Sequence, residues 1–188
     1  MMKPAVDFRA RVEELRTLAS SRPRPQDRAI VMAALHSKWE GLQSVAVQTL
    51  GSWGDRESVA ALREFWLKTQ DCKNGWSIRS VISTALAKGV KKEDASWLLD
   101  LYFDGHSRWD LDLAPAVCQL PVVAVRGRIM QESHSDNTLR RRAALGVASC
   151  LPEPEYHALL KRFSSDQNPE ISSSARYLER YFASKEKG

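Results

Sequence analysis

The chain has 188 residues, 43% of them hydrophobic and 27% charged, with a formal net charge of +5. That composition is too apolar for disorder, and no apolar run approaches the ~18 residues that a membrane span needs. The positive balance permits contact with nucleic acid without arguing for it, because neither half carries a basic tail or a dense basic stripe.

The first residues (MMKPAVDFRARVEEL) are charged throughout and lack an apolar signal core, so export by a cleaved signal is not expected. Cys72, Cys118 and Cys150 are odd in number and stand in unrelated contexts. They read as free thiols in a reducing compartment, with the cytoplasm as the default location.

Apolar residues at Val6, Val12, Leu15 and Leu18 predict a first helix over 5–20. It stops at Pro23 and Pro25, which no helix interior tolerates cheaply. A second helix is expected from Gln26, using Ile30, Met32, Ala33 and Leu35. From there two kinds of helix alternate. The first kind is a registered segment: 42–51, 78–87, 112–121, 139–148 and 171–180 align, with a small or apolar residue at the fifth place throughout, and at the sixth and an apolar one at the ninth in four of the five. Their starts, at residues 42, 78, 112, 139 and 171, are 36, 34, 27 and 32 residues apart. Such a period marks stacked supersecondary units. The second kind follows a break, over 56–69, 92–103, 122–132 and 153–163. The breaks have chemical causes: glycines and a capping aspartate at Gly51–Asp55, Lys88-Gly89, Pro121, and Pro152 with Pro154. The β-branched run 122–125 leads directly into Arg126-Gly127-Arg128 and is read as helix.

The segment LQSVAVQTLGSWGDRESVAALREFWL resembles a HEAT repeat of the short bacterial, phycobilin-lyase-like type. Ala46, Leu50, Gly51, Gly54, Asp55, Val59 and Leu62 carry the likeness. Arg79 and Arg140 keep the family's basic place in later copies, while Gly-Asp survives only in the first. The resemblance implies an all-α fold, a right-handed α-α superhelix of about ten or eleven helices. One domain over 1–188 is expected, with 1–25 as a capping helix and 184–188 as a frayed tail. Proteins of this kind serve as scaffolds, adaptors, lyases and a few enzymes, so the likeness implies fold more than function.

Motifs for chemistry are sparse. His36, His106, His134 and His157 are far apart and no Cys-x-x-Cys occurs, so neither a metal nor another cofactor is expected. Gly51-Ser52-Trp53-Gly54 lacks the lysine of a phosphate loop, and Ser164, Ser165 and Ser172–Ser174 stand where hydroxyls cap helices. Trp109-Asp110-Leu111-Asp112 is similar to the Trp/Asp segment of HEAT-like alkylpurine DNA glycosylases. Those enzymes stabilise a cationic sugar with a carboxylate and aromatic walls; Asp110 or Asp112 is more simply a helix N-cap.

Six tryptophans lie between residues 39 and 109, and most are expected to bury their rings. Phe65-Trp66-Leu67 spans about 200° of helix, so one of the three must face solvent. Arg126 and Arg128 are separated by a similar arc, so only one can point inward. The expected function is non-catalytic binding of a protein or peptide on a concave face. The expected contacts are Arg63, Trp66, Arg126, Lys161 and Arg162, all on second helices. The alternative is binding of nucleic-acid backbone by the same face, with or without base excision at Trp109 and Asp110.

Overall fold

The computed structural model describes residues 7–69, 76–104 and 112–185. Among them are eleven α-helices and no strand, so the all-α expectation holds. The chain clusters into two compact units, residues 1–90 and 91–188.

The first unit holds α1 (Phe8–Ala19), α2 (Pro25–Leu35), α3 (Glu40–Trp53), α4 (Arg56–Lys68) and α5 (Trp76–Gly89). Three of these starts have a local cause. Asp7 accepts the Arg9 and Ala10 N–H groups to begin α1. Pro25 opens α2, where a missing N–H costs nothing. Between α3 and α4 the chain reverses at Gly54, whose φ of 57° is left-handed and whose N–H returns to the Leu50 carbonyl. Asp55 then caps α4 by accepting the Ser58 N–H at 2.9 Å. Gly54-Asp55 thus makes a tight turn from two residues with separate jobs. α3 lies at the centre, packed against α1, α2, α4 and α5.

In α2 the buried residues are Asp27, Val31, Ala34 and Leu35 rather than Ile30, Met32 and Ala33. The start at Pro25 and the Asp27 carboxylate, which is turned in to accept the Arg24 backbone N–H at 3.2 Å, set which face is covered.

The second unit holds α6 (Ala95–Asp104), α7 (Ala114–Val117), α8 (Val122–Ser133), α9 (Thr138–Gly146), α10 (Glu153–Phe163) and α11 (Pro169–Lys185). A 3-10 turn precedes α6 and another follows α9. The β-branched run after Pro121 is helical, as expected. The third registered segment departs from expectation: only four residues of it form α-helix. Pro121 disfavours helical backbone at Leu120, so the segment ends in a turn.

The shared register describes burial. The ninth-place residues Leu50, Leu86, Leu120 and Val147 are all buried, as are Ala46, Ile82, Ala116, Ala143 and Ala175 at the fifth place. Burial of this kind stabilises by roughly 25 cal/mol per Å² of apolar surface.

One expectation is corrected here. Cys118 and Cys150 are not free thiols but form a disulfide across 32 residues of sequence. The bond ties the end of α7 to the 3-10 turn at Ala148–Cys150. Cys118 is the seventh residue of the third registered segment and Cys150 lies two residues past the end of the fourth, and nothing in the residue types announced the pairing. Cys72 lies outside the described residues.

Candidate functional site

The expected contact residues do not behave alike. Trp66 is corrected: its ring, carried by α4, is fully buried, with the guanidinium of Arg79 on α5 5.1 Å from the ring centroid, so it offers no surface to a partner. The exposed member of its triplet is Leu67. Arg79 is also buried, and neither its Nε and Nη2 nor the Trp66 Nε1 makes a hydrogen bond. Arg63 is exposed on α4 but engaged within the chain. Arg126 faces outward from α8 and pairs with Glu155 on α10 at 2.8 Å. Lys161 and Arg162 are exposed near the end of α10, where Arg162 donates to the Ser133 hydroxyl at 3.0 Å. Trp109 and Asp110 lie outside the described residues.

Of the pair on α8, Arg128 is the one that turns in. It binds Asp104 at 2.6 Å and Glu132 at 2.8 Å, reaches Asp100 at 3.4 Å, and lies over the Phe103 ring. Burial works against its charge, but the carboxylates outweigh this and raise its pKa. Arg140 pairs with the same Asp104 and stands 3.7 Å from the same Glu132. Two arginines and two acids therefore alternate where α6, α8 and α9 meet.

The next two arginines point elsewhere. Arg141 grips Asp166 through Nε and Nη2, at 2.8 and 3.1 Å, and donates to the Ser135 and Asp136 carbonyls. That hydrogen bonding lowers the Asp166 pKa. Among the described residues Arg142 has a single ionic contact, 3.3 Å to exposed Glu170. Arg128, Arg140 and Arg141 therefore fasten helices, and the bidentate grip of Arg141 on Asp166 suits that work.

Sequence reasoning missed the surface pair of the first unit. Phe8 is 44% exposed and Trp39 is 56% exposed, with ring centroids 6.4 Å apart and edge to face. Phe8 reaches Trp39 because Gly41 leaves room: a Cβ there would stand 2.9 Å from the Phe8 ring. The Lys38 ammonium lies 5.3 Å from the centroid of the Trp39 ring. The available signal was position, since Ser37-Lys38-Trp39 falls between two helices, where a tryptophan has no helical neighbours to cover it. The expected buried ring is seen at Trp66, while half-buried Trp53 shows the indole partner, donating to the Leu18 carbonyl at 3.0 Å.

The second unit also contains a cleft of about 430 Å³ between α9 and α11. Tyr102 and Tyr156 form part of its wall with Leu145, Leu178 and Phe182. Arg142, Ser149 and Ser174 also line it. Burial pushes the Tyr102 phenol up, and its hydroxyl donates to the Ala143 carbonyl at 2.9 Å.

No family model matches the chain, and no curated protein is significantly similar to it. Among the described residues no cluster of three or more histidine, cysteine or acidic side chains is placed to hold a metal ion, and no helix is long and apolar enough to cross a membrane.

Proposed function

We propose that the chain is a HEAT-like helical-repeat scaffold that binds a protein or peptide partner without chemistry of its own. The observation that carries this reading is the Phe8–Trp39 pair. Two large aromatic rings stand against each other in solvent, beside a lysine, at the start of two neighbouring helices. Exposed aromatic anchors of this kind dominate the affinity of many interfaces, and burying them on a partner recovers the apolar area left uncovered. Lys38 favours a partner that places a carboxylate beside an apolar side chain. Arg63 is a further exposed contact of the first unit, Arg126, Lys161 and Arg162 are contacts of the second unit by itself, and Trp66, being buried, is not a contact.

The test is a comparative capture from native extract, using the intact chain and a Phe8→Ala/Trp39→Ala variant that folds with unchanged circular dichroism. A partner enriched by the first and lost by the second supports the reading. Equal enrichment by both removes this surface from it.

Binding of nucleic-acid backbone is the second reading, favoured by the exposed neighbours Lys161 and Arg162 and by the net positive charge. It requires affinity that falls about tenfold or more between low and moderate salt. A mobility shift absent at low salt ends it. The cytoplasm was expected because the cysteines read as free, and the Cys118–Cys150 bond removes that ground, since disulfides persist mainly in oxidising compartments.

A further inference from the structure

We propose that the cleft between α9 and α11 binds a small planar aromatic carboxylate. The inference does not rest on the partner-binding reading, because it concerns different residues in the other unit.

Three observations converge. First, the space of about 430 Å³ lies in the range of small-molecule sites and is too small for a folded element of a partner. Second, its wall is largely aromatic and aliphatic. The buried rings of Tyr102 and Tyr156, the Phe182 ring that packs edge to face on Tyr156 at 5.2 Å, and Leu145 and Leu178 line it, which favours an apolar ring as ligand. Gly146 lets this wall form: a Cβ there would stand 2.8 Å from the Tyr102 hydroxyl oxygen, so any other residue would push the ring away. Third, Arg142 is the one ionised side chain among the described residues that line the cleft. Unlike Arg128, Arg140 and Arg141, it is held by a single 3.3 Å contact to an exposed acid. A guanidinium carries five N–H donors, and one contact leaves most of them for a carboxylate bound through both oxygens. Ser149 and Ser174 add hydroxyls to the same lining.

The disulfide fixes the shape of this wall. Ala114 and Ser149 both line the cleft, and Cys118 and Cys150 join the two short elements that carry them. The site is therefore largely formed before a ligand arrives, which lowers the entropic cost of binding.

The experiment titrates the full-length oxidised protein with indole-3-acetate and, separately, with indole-3-acetamide, reading the amide NMR shifts of Gly146 and Ser149. Two variants accompany it: Arg142→Gln, which removes the cation, and Ser174→Trp, which fills the cleft from an exposed helix position. The expected result is saturable binding of the acid about tenfold or more tighter than the amide, as a charge-assisted pair predicts. Arg142→Gln should abolish that preference, and Ser174→Trp should abolish binding of both compounds. Absence of saturable binding to the unmodified protein overturns the proposal. Equal affinity for acid and amide, or a preference that survives Arg142→Gln, overturns the carboxylate. Binding that survives Ser174→Trp places the ligand elsewhere and overturns the site.

Discussion

Gly51 of α3 and Ala85 of α5 meet with no side chain between them: a Cβ added to Gly51 would lie 2.7 Å from both Cα and Cβ of Ala85. The two helices therefore touch almost backbone to backbone, each at a late place in its registered segment. Neighbouring Leu50 and Leu86 are fully buried beside that contact. Close approach is what lets two short helices bury their leucines without bulky residues holding them apart.

Gly51→Val should destabilise the first unit by about 1–3 kcal/mol, the usual cost of overpacking a contact that cannot relax without moving backbone. The expected sign is a lower urea midpoint with an unchanged slope. Ser52→Ala, one residue on and exposed, should stay within about 0.5 kcal/mol.

Arg28 and Asp55 predict an acid sensitivity. Burial raises the Asp55 pKa, but the Arg28 and Ser58 hydrogen bonds and the Arg28 charge outweigh it and hold the value at about 2. An unfolded aspartate titrates near 4, so the unfolded chain binds this proton first as the pH falls. The stability due to Asp55 is therefore whole above about pH 4 and is lost as the pH drops toward 2. Asp55→Asn preserves the cap, since asparagine caps as well as aspartate. It should flatten the stability-versus-pH curve in that window, measured by denaturation midpoints at stepped pH. A curve as steep as that of the unmodified chain would refute the assignment.

Reducing Cys118–Cys150 should destabilise the second unit by about 3–4 kcal/mol, the loop-closure value for a loop of this length. Alkylation before and after reduction, followed by mass measurement, reports the bond directly. Cys118→Ser should reproduce the shift in unfolding midpoint, and added reductant should then have no further effect on that unit.

Glu132 should matter far more than its exposed counterpart. It is almost fully buried between Arg128 and Arg140, so Glu132→Ala leaves two guanidinium groups short of a carboxylate in partly desolvated surroundings. A loss of about 2–4 kcal/mol is expected, toward the lower end for a broken buried pair because both arginines keep Asp104. Glu170→Ala breaks only the exposed contact to Arg142 and should cost less than about 0.5 kcal/mol. Chemical denaturation of the two variants side by side decides this.

Much of the helical layout was legible because its determinants are local. Gly54 and Asp55 act within a few residues of themselves, as turn and cap. The fifth and ninth places of the registered segments were legible for the same reason, since helical periodicity alone decides which residues share a face. Facing between elements was not legible. Trp66 and Leu67 differ by one residue and look equally suited to a surface contact, yet only packing against Arg79 and the rest of the unit buries the first and leaves the second out.

The chain by itself determined an all-α molecule built from recurring helical segments, with their starts and stops, because capping, turn geometry and apolar spacing are short-range effects. Tertiary structure alone decided which arginines are spent on the chain, which aromatic rings stand in solvent, and that two of the three cysteines are joined. Each of these depends on distances between residues remote in sequence: Arg140 lies 36 residues from Asp104, Trp39 meets Phe8 from another helix, and Cys150 is 32 residues from Cys118. No local pattern encodes such separations; they follow from the packing of whole helices against one another.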